Sequence, residues 1–227
     1  SEVIVEEALK HMDMIKDKNQ PFFQVIWFGS PHTNHKALEK DMALYPDLPK
    51  NWQRYYGEIT AMDRAMGNLR TGLKNKGLDE NTLIWYTSDN GSYNPATSIE
   101  GLRGYKGMMY EGGIRVPALI VWPGHIRKPL ETEMRGTTLD IMPTLLDLLG
   151  ITLKNRELDG MSLLPLLQGK QMSNRSVPLR FYRQSTGMNN ETKYTEEDLT
   201  GWWRPFKCPT HTTPRTEDFR GWSAWIE

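Results

Sequence analysis

The sequence is nearly free of cysteine. Cys208 is the only one among 227 residues, which excludes an internal disulfide and any cysteine-based metal cluster. An exported protein does not need disulfides, so the compartment stays open on this count. Charge of one sign is also absent: 28 Lys and Arg balance 28 Asp and Glu. Bulk electrostatics therefore point to neither nucleic acid nor a membrane surface as a partner. Long apolar runs are missing too. The longest, from Val116 to Trp122, falls far short of the roughly 20 residues of a membrane-spanning helix. There is no low-complexity tract and no internal repeat. No signal peptide opens the chain: Ser1-Glu2-Val3-Ile4-Val5 reads as the interior of a structured element. With no initiator Met, residues upstream are expected to be missing, and the chain is expected to be a fragment.

What is present supports a real core. The chain is long enough for one large domain, and its eight Trp argue against disorder over most of its length. Ile4, Ala8, Leu9, Met12 and Ile15 recur at helical spacing over residues 3–16. After Pro21, Phe22 to Phe28 is a continuous apolar run, the signature of a strand buried on both faces. Residues 51–76 carry the clearest helical stripe, Tyr55, Tyr56, Ile59, Met62, Met66, Leu69 and Leu73, with Gly77 as its stop. Strands are expected at 82–87 and 116–122, and helices at 141–149, capped by Asp140, and at 162–168. Alternating strands and helices predict an α/β layer fold with a mostly parallel sheet flanked by helices. Residues 1–174 read as part of one domain. Residues 175–227, polar and scattered with Pro, Thr and Trp, read as the start of a second subdomain or an elaborated loop.

In open α/β sheets, ligands sit at the carboxyl ends of strands. One such end gives His32, in Gly29-Ser30-Pro31-His32, with His35 an equal candidate by composition. Another gives Asp89 and Asn90, a carboxylate beside an amide oxygen, which suits a hard cation such as Ca²⁺ or Mg²⁺. The same Ser88-Asp89-Asn90-Gly91 run also suits a plain turn. Lys106 lies among Gly101, Gly104, Gly107, Gly112 and Gly113. It reads as a point charge for an oxyanion or as a solvated loop lysine. Met62, Met66, Met108 and Met109 read as core filling, and Arg115 as the ion-pair partner of Glu111. Asn174-Arg175-Ser176 and Asn190-Glu191-Thr192 fit the glycosylation pattern, which recurs by chance.

Four segments, taken together and in this order, resemble the sulfatase family. They are Pro21-Phe22-Phe23 leading to Ser30-Pro31-His32, then Thr87-Ser88-Asp89-Asn90-Gly91, then Leu102 through Pro117, and finally Asp159-Gly160-Met161-Ser162-Leu163-Leu164-Pro165-Leu166-Leu167. Tyr55-Tyr56-Gly57-Glu58-Ile59 with Met62-Asp63 adds to the likeness, which covers roughly residues 3–170. It implies an alkaline-phosphatase-like fold, here a partial domain, and hydrolysis of sulfate esters. It also implies Asp89 and Asn90 as ligands of Ca²⁺, in preference to Mg²⁺, and Lys106 and His32 as contacts of the sulfate. The partner implied is a sulfated small molecule or sulfated carbohydrate. The implied location of the whole protein is secreted, periplasmic or lysosomal.

One departure stands out. Sulfatases attack with a formylglycine made within a Cys-x-Pro-x-Arg motif near their N-terminus, and that motif is absent here. Cys208-Pro209-Thr210-His211 has Pro in the wrong place and follows the metal strand instead of preceding it. The formylglycine is therefore expected in the missing N-terminal region, and this chain supplies metal and sulfate contacts but no nucleophile. Two other readings stand beside this one. A related metal-dependent phosphodiesterase or phosphonate hydrolase is disfavoured by Asn90, where some such enzymes carry His. A non-catalytic anion-binding protein is disfavoured by the full set His32, Asp89, Asn90 and Lys106.

Overall fold

The computed structural model describes residues 1–14, 21–92, 101–126, 128–181 and 222–226. The chain forms two compact units, one of residues 1–85 with 120–129 and the other of residues 86–119 with 130–227. Parts of the sequence reading fall outside the described residues: Ile15, the glycosylation triplet at Asn190, Cys208, and most of residues 175–227.

The first unit is built on α1 (Glu2–Met14) and α3 (Lys50–Asn75), with the short α2 (Glu39–Met42) between them in sequence. Its core is Val5, Met12, Ala65, Leu69 and Leu73, with Leu9, Phe22, Ile26, Phe28, Met66, Leu78 and Ile84 packed against it. Burying these side chains drives the association of α1 with α3. The buried line on α1 is Val5, Ala8 and Met12. Ile4, expected inside, is 38% exposed. On α3 the buried positions include Gly57 and Ala65 beside Leu69 and Leu73. Small residues sit where another backbone comes closest, so they carry little hydrophobic signal of their own. Gly77, at φ 64°, ends α3 as expected: Leu78 N donates to Leu73 O at 3.0 Å and Gly77 N to Lys74 O at 2.9 Å.

Charge finishes this packing. Arg64 on α3 donates from Nη1 and Nη2 to the two carboxylate oxygens of Asp41, at 2.8 and 2.9 Å, and from Nε to Glu2 at 2.8 Å. Asp41 is 1% exposed. The guanidinium hydrogen bonds hold its carboxyl below the usual carboxylate range, against the opposing pull of burial. Arg64 is shifted up by the same bonds, first to Asp41 and then to Glu2.

The run Phe22 to Phe28 corrects the expectation of a strand buried on both faces. It is extended but belongs to no sheet among the described residues. Its even-numbered residues turn toward the core, while Phe23, Val25 and Trp27 are 72%, 56% and 84% exposed. An extended chain sends alternate side chains to opposite faces, and α1 and α3 cover only one of them.

Strands β1 (Ile84–Thr87) and β2 (Ala118–Val121) form a two-stranded sheet. Between them in sequence lies the short α4 (Glu111–Ile114). Further on come α5 (Ile141–Leu148) and α6 (Leu164–Leu167). Strand β3 (Val177–Phe181) pairs antiparallel with β4 (Trp222–Ile226), Val177 opposite Ile226.

Asp140 was expected to cap α5 but makes no side-chain cap bond there. Its fully buried carboxylate gathers other donors instead: Arg175 Nη2 at 2.6 Å to each oxygen, Met161 N at 2.9 Å and Thr137 N at 2.7 Å. A buried charge needs such donors, and they come from three separate places in the sequence. Met108 is a further correction. It lies exposed at 37% and fills no core.

Candidate functional site

The end of β1 carries Asp89 and Asn90, and local chemistry shapes it. Ser88 Oγ donates to Asn90 O at 3.0 Å, and Asn90 Nδ2 donates to Gly91 O at 3.1 Å. These are the side-chain-to-backbone bonds of a polar turn. Spending Nδ2 in this way leaves Oδ1 as the Asn90 atom suited to a cation. The Asp89 side chain beside it is exposed. The turn reading and the ligand reading are therefore compatible: the turn uses the amide nitrogen and leaves the Asn90 Oδ1 and the Asp89 carboxylate out of these two bonds.

The glycine-rich segment is bonded directly to this strand end. Gly91 N donates to Gly113 O at 2.9 Å and Ser92 N to Gly112 O at 3.1 Å. Lys106 N donates in turn to Ser92 O at 2.6 Å, and Gly112 N to Arg103 O at 2.8 Å. No side chain fits between these strands of backbone. A Cβ on Gly91 would lie 2.2 Å from Gly112 O, and one on Gly112 would lie 2.2 Å from Gly104 O. These glycines therefore bring backbone against backbone. Gly104 and Gly107, at φ 84° and 87°, turn the chain on either side of Lys106 in a conformation that only glycine adopts freely. The result anchors the backbone of Lys106 two residues beyond Asn90 while its side chain stays exposed.

Arg103 and Arg115 have local partners. The Arg103 guanidinium lies 3.9 Å from the centroid of the Tyr110 ring and donates to its hydroxyl at 2.9 Å. Arg115 pairs with Glu111 at 3.9 Å, as expected, with both side chains more than half exposed. Such a pair adds little to stability.

His32 and His35 belong to the first unit, and their surroundings differ. His32 is exposed. Its backbone N closes a turn onto Gly29 O at 3.2 Å, and its ring Nδ1 lies 2.8 Å from Thr33 O. A carbonyl only accepts, so Nδ1 carries the proton. His35 is turned inward, its Nδ1 3.0 Å from Glu58 Oε2 and its ring edge against Tyr55 at 5.2 Å. The side chains of His35 and Glu58 are 15% and 12% exposed. His32 is thus the histidine that faces outward.

Ser92 and Glu58 hold this geometry without having stood out chemically. Ser92 works through its backbone, which leaves no trace in residue type. Glu58 did have a signal, its place in Tyr55-Tyr56-Gly57-Glu58.

As a cation site the segment is partial. Asp89 and Asn90 match the all-oxygen preference of Ca²⁺, but such an ion takes about 6–8 oxygens. Among the described residues no group of three or more His, Cys, Asp or Glu comes together. Asp89 and Asn90 by themselves bring two oxygen-bearing side chains, fewer than such an ion takes. None of the described helices is long and apolar enough to cross a membrane.

Comparison with known proteins gives a consistent result. The family model described as Sulfatase matches residues 1–151. Human arylsulfatase A is 36% identical over 170 residues, covering 73% of this chain and 32% of the relative. The N-acetylgalactosamine-6-sulfatase of Mus musculus is 29% identical over 224 residues, covering 94% of this chain and 42% of the relative. A solved structure of Ps i-CgsB in complex with k-i-k-neocarrahexaose superposes with a TM-score of 0.72 at 31% identity, covering 80% of this chain and 41% of that one. The chain thus spans well under half the length of these relatives. A family match over residues 1–151, a relative at 36% identity and a solved neighbour at TM-score 0.72 all agree: this chain belongs to the sulfatase family and shares the alkaline-phosphatase-like α/β fold.

Proposed function

We propose that this chain is the part of a sulfuric ester hydrolase that holds the sulfate group, working within a polypeptide that also carries a formylglycine segment. Asp89 and Asn90 provide two oxygen ligands to Ca²⁺, and Lys106 and His32 contact the sulfate. The observation that supports this reading most is the backbone link from Lys106 N to Ser92 O at 2.6 Å. It ties the anion-binding lysine to the strand end that bears the two oxygen ligands.

The chemistry follows from charge. A sulfate ester is attacked at a sulfur ringed by negative oxygens. Ca²⁺, when bound, offsets that charge as a Lewis acid. Lys106 does the same as a point charge and stands ready to neutralise the departing alkoxide or phenolate. His32 donates from its Nδ1–H to Thr33 O. As an imidazolium it also donates through Nε2 to a sulfate oxygen. Substrates are sulfated small molecules or sulfated carbohydrates, in keeping with relatives named for aryl and N-acetylgalactosamine sulfates.

Lys106→Met in the complete sulfatase tests this. Loss of one such contact is expected to lower kcat by about 10²–10³-fold, read as release of phenolate from an aryl sulfate. Wild-type turnover would overturn the role of Lys106. The isolated chain is expected neither to bind Ca²⁺ tightly, by calorimetry, nor to turn over aryl sulfates. Measurable turnover would refute the assignment of the nucleophile to another segment.

A further inference from the structure

We infer that Glu58 is a positioning residue for His32, acting through His35 and the backbone of Lys36; the inference rests on the proposed sulfate-contacting role of His32. The starting point is the segment Tyr55-Tyr56-Gly57-Glu58, which the functional reading leaves unused. It sits in the N-terminal half of α3 and receives the loop that follows His32.

Three contacts make the dock. Glu58 Oε1 accepts from Lys36 N at 2.7 Å, and Glu58 Oε2 faces His35 Nδ1 at 3.0 Å. One carboxylate thus grips two consecutive residues of the loop, one by its backbone and one by its side chain. Tyr55, one turn earlier, meets the His35 ring edge-on, at 5.2 Å and 75°. Gly57, between them, removes the side chain that would keep the loop away: a Cβ there would lie 2.7 Å from Ala37 Cβ and 3.3 Å from the backbone of Asp41.

The other end of the loop carries the imidazole. His32 Nδ1 donates to Thr33 O at 2.8 Å, so the ring orientation depends on where the Thr33 carbonyl points. That carbonyl lies two residues from His35 and three from Lys36. With those held on α3, the carbonyl has a fixed reference, and so does Nε2 of His32. The side chains of Glu58 and His35 are both largely shielded, which strengthens their interaction relative to an exposed pair. An exposed histidine on a surface loop gains orientation from a clamp whose carboxylate and imidazole are largely shielded.

A merely structural clamp would affect stability and leave chemistry alone. A positioning clamp affects the chemical step through His32 alone. The test uses the complete sulfatase bearing this segment and compares His32→Ala, Glu58→Ala, Glu58→Gln, His35→Leu and the double variant His32→Ala/Glu58→Ala on an aryl sulfate. Misplacing a reacting group by about 1 Å costs up to about 10²-fold. Glu58→Ala and His35→Leu are therefore expected to lower kcat about 10–100-fold, with KM within about twofold. Glu58→Gln still offers an acceptor to Lys36 N and is expected to recover most of the loss. The double variant is expected to be no slower than His32→Ala, because the clamp has nothing left to position.

Several outcomes overturn the inference. Normal kcat in both Glu58→Ala and His35→Leu, with His32→Ala impaired, removes the clamp and leaves the role of His32 standing. Additive losses in the double variant place Glu58 outside the action of His32. Unimpaired His32→Ala removes the role of His32 itself. If Glu58→Ala does not fold, His35→Leu decides alone.

Discussion

Gly91→Ala tests whether the strand end and the glycine-rich segment are locked together as described. The φ of Gly91 lies outside the left-handed region, so alanine meets no backbone penalty there. Its only difficulty is contact. The new Cβ would lie 2.2 Å from Gly112 O and 2.6 Å from Gly113 C. Both neighbours are backbone, which cannot rotate away as a side chain does. One relief is for the two segments to part by about 1 Å, which stretches the bonds from Gly91 N at 2.9 Å and Ser92 N at 3.1 Å beyond useful range. Two such bonds are worth about 1–3 kcal/mol net. The other relief is to keep the bonds and accept strain of about 1–3 kcal/mol. These are alternatives, so the expected loss is about 1–3 kcal/mol and not their sum. Urea unfolding measures it, and amide hydrogen exchange at Gly91 and Ser92 reports the bonds directly. In the complete enzyme, displacement of Lys106 should lower kcat as well. A loss below about 0.5 kcal/mol with unchanged exchange at both amides would show that the close approach is not a constraint. Gly67→Ala is the control: nothing lies within 4 Å of a Cβ there, and alanine in the middle of α3 should stabilise by about 0.5–1 kcal/mol.

The buried charges give further predictions. Arg64→Met leaves Asp41, 1% exposed, without its guanidinium and should cost about 3–5 kcal/mol at neutral pH; a loss under 1 kcal/mol by urea unfolding would contradict the pairing. The pH dependence has a definite sign. Asp41 is shifted down in the folded state by Arg64, so its stabilisation is present above the unfolded carboxylate value of about 4 and fades as pH falls through the lower folded value. The gap between wild type and Arg64→Met should therefore narrow in acid below about pH 4, and a constant gap would refute the linkage. Asp140→Asn puts an amide NH₂ against donors from Arg175, Met161 and Thr137 and should cost about 3–5 kcal/mol, read by the same unfolding curves; near-neutral behaviour would mean those donors find other acceptors.

The sequence alone carried the elements and the chemistry-bearing residues. Helical spacing located α1 and α3 to within a residue or two, and Gly77 marked the end of α3. Periodicity reports which side chains avoid water, and that suffices for elements that bury a stripe of large residues. The order of four motifs carried the family and named His32, Asp89, Asn90 and Lys106. Tertiary structure decided what depends on contacts between distant positions. It placed His35 against Glu58, 23 residues away, and left His32 exposed. It also brought Arg175, 35 residues away, onto the Asp140 carboxylate. The run Phe22 to Phe28 looks uniformly buried in sequence, yet only one face meets α1 and α3. Gly57, Gly91 and Gly112 serve close backbone approach, and a residue defined by the absence of a side chain gives no hint of what it lets near. Local pattern encodes which groups are available, whereas orientation and burial come from chain segments that meet only after folding.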